Sequence, residues 1–332
     1  MAEVSVSPRQ SALPAFERLR RHPAGSIAIL FVLVQFTLIV LSLIIPAEFR
    51  YASEANAAIM LRAIPLLGIM AVGVGLLMIA GEFDLSVGSV FTLTSIVMAL
   101  CFIEGLPLWL SVIVALATGL LCGCLNGFIT VKLAIPSFIA TLGTMLVLRG
   151  VIRLLTAGQN VPFFPGDFFE GALTGSIGVL QAQFIWFVGI AVVGYLLLAH
   201  HKLGNHLYAV GGNLQSATAV GINVARVKII AFMLSALGAT VSGIMSATRV
   251  NAISPAAGPG LELQTIAVCV IGGVLLTGGR GTIIGIFLGA VLIYTIEDVL
   301  FLSRAPGFFI DAFLGAIIIG AVVMNRTFAK TQ

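Results

Sequence analysis

Few residues in this chain can do chemistry. The densest group lies in Gly81-Glu82-Phe83-Asp84-Leu85-Ser86-Val87-Gly88-Ser89. Its two carboxylates sit between long apolar runs, Leu66 to Ala80 and Val87 to Cys101. Bare charge is costly in hydrocarbon, so an acidic pair placed there either lies at a membrane surface or lines a wet, protein-enclosed cavity. Gly81 and Gly88 let the backbone leave helical geometry on both sides. The stretch therefore reads as a break between two spans, where a helix N-terminus or a solute path can be built. An ordinary tight turn with solvated acids fits the same spacing. Asp84 also suits the N-terminus of the following span, where negative charge complements the helix dipole.

Other reactive constellations are missing. Cys101, Cys122, Cys124 and Cys269 all fall inside apolar runs. Cys122 and Cys124 form a C-x-C pair, but no nearby His or third Cys completes a metal set, so they read as small apolar residues. The four His (22, 200, 201 and 206) gather near expected membrane surfaces. There is no phosphate-cradling G-x-x-x-x-G-K-[ST] loop and no nucleophile elbow. No catalytic residue, cofactor or metal is expected, and nucleotide hydrolysis, where used, belongs to another subunit.

The elements that must position these residues are membrane spans. Of 332 residues, 59% are hydrophobic and 9% charged, whereas a soluble domain carries about 25% charged residues. The 37 Gly suit helices that pack backbone to backbone in lipid. The expected fold is all-α and polytopic, with about ten transmembrane helices, some broken or short. The spans are Ser26 to Pro46, Ala57 to Ala80, Val87 to Ile103, Leu108 to Val131 and Pro136 to Leu155. Gln181 to Ala199, Lys228 to Thr248, Glu262 to Thr277, Thr282 to Leu300 and Phe308 to Met324 complete them. The first is about 20 residues, enough to cross a core of roughly 30 Å and too long for a signal-peptide core. Residues 1–25 form a basic cytoplasmic tail, 26–326 a single transmembrane domain, and 200–227 a cytoplasmic segment within it.

Charge supports that threading. The inside segments hold 11 of 17 basic residues, and the outside faces keep Arg50, Arg62, Arg149, Arg153, Arg249 and Arg304, in the sense of the positive-inside rule. Both termini then face the cytoplasm. Outside, Thr156 to Leu180 is rich in Pro, Gly and Phe, with aromatics for the lipid interface or a partner. Inside, Asn213 is a candidate N-cap for a short helix, Leu214 to Val220, ended by Gly221. Gly81 and Gly88 are echoed by Gly278 and Gly285 at the same spacing, a hint of a parallel internal repeat.

Four stretches together resemble the permease subunit of ribose- and xylose-type sugar importers of the ATP-binding-cassette class. Gly81 to Ser89 is similar to that family's G-x-x-D-L-S-V-G-S signature, with Glu82 and Phe83 where Gly-Ile is common. Ala134 to Thr144 resembles its P-x-F-I-A-T-L-G-T run. Gly204 to Val224 resembles its cytoplasmic segment, with Leu-Gln-Ser-Ala after Asn213 where Pro or Glu and paired Ala are usual. Gly272 to Thr282 resembles its G-G-x-x-L-x-G-G-x-G-T motif.

The resemblance implies a pore subunit in a bacterial inner membrane, working as a homodimer or with a homologue. Separate cytoplasmic ATPase subunits would drive it, and a periplasmic binding protein would deliver a monosaccharide. Lipid surrounds it, and no nucleic-acid partner is implied. Coupling to the ATPase would fall on Gly204, Asn205, Ala209, Gly211, Gly212, Asn213, Ala217 and Gly221, whose small side chains let a partner's groove close. Candidates for the substrate pathway are Asp84, Ser86, Thr92, Asn126, Thr141, Thr144 and Gln264, since a sugar needs hydroxyl-matching but releasable contacts. Any of these can instead join helices, and for Asp84 the capping role is preferred. Related permeases carry nucleosides or a furanosyl signalling molecule. An ion-gradient transporter would want acids well inside spans, whereas Glu82, Asp84, Glu104, Glu262, Glu297, Asp298 and Asp311 are expected at breaks or edges. A membrane-embedded enzyme would need a catalytic set within a span, and none is visible.

Overall fold

The computed structural model describes residues 24–46 and 48–306, and beyond them 309, 312, 315, 316, 319 and 320. Most of the basic tail, Asp311 and most of the tenth expected span, Phe308 to Met324, lie outside the described residues. Helices α1 (Gly25–Ile44), α2 (Glu54–Ile79), α3 (Val87–Ile103), α4 (Leu108–Lys132) and α5 (Ser137–Thr156) follow one another through short connections. After α6 (Asp167–Thr174) and α7 (Ala182–His200) come α8 (Lys202–Gly212) and α9 (Leu214–Ala219). The described helices end with α10 (Val224–Val250), α11 (Leu261–Ile271) and α12 (Ile283–Leu302). The protein is an all-α polytopic membrane protein.

Seven of these helices (α1, α2, α4, α5, α7, α10 and α12) are long and apolar enough to cross a membrane. The other two expected spans are short. α3 has 17 residues. α11 has 11, about 16 Å at 1.5 Å per residue, roughly half a bilayer core. The expected span Glu262 to Thr277 is thus helical only to Ile271. Beyond it the chain turns: Gly273, within the expected span, and Gly278, Gly279 and Gly281, just after it, take positive φ.

The core forms around α2 and α10. From Leu67 to Ile79 every residue of α2 is buried, as expected for a helix that is apolar all round. Ser53 starts α2 by accepting the Asn56 N–H at 3.2 Å, and Asn223 starts α10 by accepting the Arg226 N–H at 3.0 Å. α4 lies along α10 on a seam of Gly119, Gly123 and Gly127. A Cβ at these positions would collide with Thr240, with the Phe232–Met233 backbone and with Ile229. Small residues four apart remove one side of a helix, which lets two backbones approach in lipid.

The connections sort onto two ends. At one end the break after α2, the α8–α9 segment and the Gly278–Gly279 turn touch. A Cβ on Gly278 would sit 2.7 Å from Gly81 Cα, and one on Gly279 2.7 Å from Gly212 Cα. At the other end β1 (Val161–Pro162) pairs antiparallel with β4 (Ala252–Ile253), Val161 opposite Ile253. A two-residue hairpin joins β2 (Ser176–Ile177) to β3 (Leu180–Gln181). This grouping agrees with the threading read from sequence.

One connection departs from it. After β4 the chain turns back toward the opposite end, so that Gly258 meets the Gly88 carbonyl and Thr92 Oγ1 at the start of α3. α11 begins at that depth, which explains its half length. Non-helical backbone is tolerated there because it is enclosed by protein rather than lipid.

Candidate functional site

The acidic break is organised by the helices around it. Glu82, 8% exposed, forms an ion pair with Lys228 near the start of α10. Asp84, with no exposed surface, turns inward. Its Oδ1 accepts the Ser86 N–H at 2.8 Å and the Ser86 hydroxyl at 2.6 Å. Ser235 Oγ of α10 donates to Oδ2 at 3.3 Å. Asn126 of α4 donates to Ser86 Oγ at 2.8 Å, and its own Oδ1 accepts from Thr144 of α5 at 2.7 Å. Thr141 Oγ1 accepts the Leu85 N–H at 3.1 Å, and Ser137 Oγ accepts the Phe83 N–H at 3.3 Å. A non-helical backbone at depth leaves N–H groups without helical partners. Here hydroxyls from α5 take two of them.

The depth follows from helix geometry. Ser235 is eleven residues beyond Val224, about 16 Å along α10, and Asn126 is six residues before Lys132, about 9 Å along α4. Asp84 therefore lies inward of these helix ends, at the break between α2 and α3 expected from sequence and enclosed by protein. It is tolerated because each carboxylate oxygen is hydrogen-bonded. Nor does it cap α3 in the usual way. The carboxylate takes the N–H of Ser86, the residue immediately before the helix, rather than an N–H of the first turn. Asp298, four residues from the end of α12, also keeps to the edge expected of it: it is 5% exposed and accepts at 2.7 Å from Nδ2 of Asn56 in the first turn of α2.

Of the expected pathway residues, Asp84, Ser86, Asn126, Thr141 and Thr144 are brought together. Thr92 lies on the neighbouring side of α3, donating to the Gly88 carbonyl at 3.1 Å beside Gly258. Gln264 stays half-buried on α11, apart from the group. Glu262, two residues earlier, bridges to Arg149 of α5 at 3.1 Å and accepts the Gly260 N–H at 3.1 Å. Sequence reading missed Lys228 and Ser235 as members of the group. The available signal was their seven-residue spacing, which puts two polar residues on one face of an apolar helix.

The segment 200–227 uses its small residues mostly on its own chain. Gly204 is buried against the Leu198 backbone, and a Cβ on Gly211 would overlap the Ile79 carbonyl. Ala217 is 2% exposed and Ala209 packs on the core. Asn205, Gly212, Asn213 and Gly221 are exposed. Asn213 caps α9, accepting the Ser216 N–H at 2.9 Å. Tyr208 donates to the Gly281 carbonyl at 2.7 Å, and burial pushes its phenol above the usual value. The outward apolar residues are Leu214 and Val220, 47% and 77% exposed. Among the described residues no group of three or more His, Cys, Asp or Glu could hold a metal ion.

Comparison with known proteins agrees with this architecture. Residues 56–322 match the family model described as branched-chain amino acid transport system / permease component. The chain is similar to the autoinducer 2 import system permease protein LsrC of Yersinia enterocolitica, 36% identical over 261 residues, covering 78% of this chain and 72% of that protein. It is similar to LsrC of Enterobacter sp. strain 638, 34% identical over 280 residues (83% and 80%), and of Escherichia coli K12, 32% identical over 289 residues (86% and 84%). No solved structure matches. The chain belongs to this family of transport-system permease components: it is a multi-pass inner-membrane subunit of an ATP-binding-cassette importer, a transport protein rather than an enzyme.

Proposed function

We propose that this chain forms the pore for a small polyhydroxylated solute, autoinducer 2 in the first place, with separate ATPase subunits and a periplasmic binding protein as partners. The solute assignment rests on the similarity to LsrC proteins over more than three quarters of the chain. A pentose or hexose is the second reading, favoured by the likeness of Gly81 to Ser89 and Ala134 to Thr144 to the ribose- and xylose-type signatures. A second copy of the chain, or a homologue, would complete the pore.

The observation that carries the mechanism is the knot of Gly211, Gly278, Gly279 and Gly81. α8 and α9 rest through Gly211 on the carbonyl of Ile79, the last residue of α2. Beyond Ile79 the chain runs directly into the break, through Glu82 and Phe83 to Asp84. A partner bearing on Leu214, Val220 and the exposed Gly212 pushes on this knot with no flexible side chain between. Backbone packed on backbone shifts as a unit, so that push displaces the end of α2 and the network that fixes α3, α4, α5 and α10. Alternating access then needs only a small rocking of these helices.

The test is uptake in proteoliposomes holding this chain with the ATPase and binding protein encoded beside it. Labelled autoinducer 2, pentoses, hexoses and branched-chain amino acids form the panel. ATP-dependent uptake of autoinducer 2 that needs all components supports the first reading, and preference for a pentose or hexose supports the second. Uptake by this chain alone under a proton or sodium gradient overturns both.

A further inference from the structure

A cleft between α2, α7 and α10 is walled by Pro65, Gln183, Ser242 and Met245, with Arg62 and Arg249 also on its lining. Pro65 sits inside α2. Its ring nitrogen carries no hydrogen, so the rung it would make to Leu61 is missing. One residue on, the Leu66 carbonyl accepts from Ser242 Oγ of α10 at 2.6 Å. Gln183, the second residue of α7, is 3% exposed, and its Oε1 has no hydrogen-bond partner. A buried acceptor left unmatched is costly. The room inside the cleft is ≈ 10 Å³ for the centre of a water molecule, about what one bound water needs. Arg62 and Arg249 are exposed, so the cleft communicates with the exterior.

We infer that this cleft is the site of one ordered water molecule, which donates a hydrogen bond to Gln183 Oε1. The orphaned acceptor fixes the chemistry: the ligand must have a hydrogen to give, and the room excludes anything larger than water. Ammonium, a cation of similar size, is disfavoured by the two guanidinium charges on the lining. A buried water makes about three hydrogen bonds. Ser242 Oγ, whose own hydrogen goes to Leu66, is an acceptor for the water's second hydrogen, and the guanidinium groups are donors on the same lining. The water is then a joint between α7, α10 and the stretch of α2 that Pro65 leaves one rung short. The site stands apart from the Asp84 network and does not depend on which solute is carried.

The test is synchrotron radiolysis of the full chain purified in detergent, in which hydroxyl radicals born from a bound water oxidise the side chains beside it. Met245, 4% exposed, should be oxidised several-fold faster than Met70 and Met98, both 0% exposed. Gln183→Leu removes the acceptor and should bring the Met245 rate down toward that of Met70. A density map of the wild type fine enough to show ordered waters should place one about 2.7–3.2 Å from Gln183 Oε1. A map with no density in the cleft, or with Gln183 Oε1 turned onto a protein donor, overturns the inference. So does a wild-type Met245 rate equal to that of Met70, or an undiminished Met245 rate in a correctly folded Gln183→Leu protein.

Discussion

Asn126 Nδ2 lies 2.8 Å from Ser86 Oγ, a bond across forty positions of sequence that ties α4 to the break before α3. Asn126 is also 3.5 Å from Asp84 Oδ1 and accepts from Thr144, so one carboxamide touches the break and α5 together. Asn126→Ala leaves Ser86 Oγ without its donor and cuts the tie to α5, where Thr144 keeps only the Ala140 and Thr141 carbonyls of its own helix as acceptors. It should destabilise the protein by about 1–3 kcal/mol. Thermal unfolding in detergent, followed by tryptophan fluorescence, reads the loss, and an unchanged Tm would remove Asn126 from its organising role.

Glu82 and Lys228 are both largely buried, at 11% and 17% side-chain exposure. Either Glu82→Gln or Lys228→Met strands a charge, at a cost of up to about 3 kcal/mol. The double variant Glu82→Gln/Lys228→Met should be more stable than the sum of the single losses, with a coupling of about 0.5–3 kcal/mol. Strict additivity would show that the pair does not act as a pair.

Gly211 and Gly221 separate crowding from conformation. A side chain at Gly211 meets the Ile79 carbonyl and the Gly279 N–H, whereas Gly221 has open space around it but a φ of +83°. Gly211→Val should abolish accumulation of folded protein in the membrane. Gly221→Ala should cost only about 1–2 kcal/mol, the penalty of left-handed backbone for a residue with a Cβ. Equal expression and Tm for the two variants would contradict the knot.

Gly212 is exposed and Ala217 is not, and this orders the partner-facing variants. Gly212→Trp should insert and fold normally but lose ATP-driven uptake by tenfold or more, by obstructing the docked partner. Ala217→Trp, at a position 2% exposed, should fail earlier, as a folding defect from overpacking. Full uptake by a well-expressed Gly212→Trp protein would move the docking surface elsewhere.

Tyr208 offers a pH signature. Its neutral hydroxyl is the form that donates to Gly281, and burial raises its pKa above the ordinary 10.0. A raised pKa means the contribution is fully present below pH 10 and is lost as pH rises through the folded value. Tyr208→Phe should therefore cost about 1 kcal/mol evenly between pH 6 and 9, with the difference from wild type shrinking only above pH 10. A difference that changed across neutral pH would point to another group.

The sequence by itself determined the membrane class, the helices and the sorting of connections onto two ends. Hydropathy, basic-residue bias and capping act over a few neighbouring residues, and Asn213 capping α9 is such a case. Tertiary structure decided what faces what. The return of the chain to Gly258 beside Gly88 started α11 part-way along α3, and the helix stops at Ile271 rather than at the Thr277 that hydropathy gives. Asp84 became a buried hub, because the α4 glycine seam brought Asn126 alongside and α10 supplied Ser235. Gly211 and Ala217, small residues equally suited to a partner's groove, were taken up by Ile79, Gly279 and the core. A small side chain records only that something comes close; which surface does so depends on residues far away in the chain.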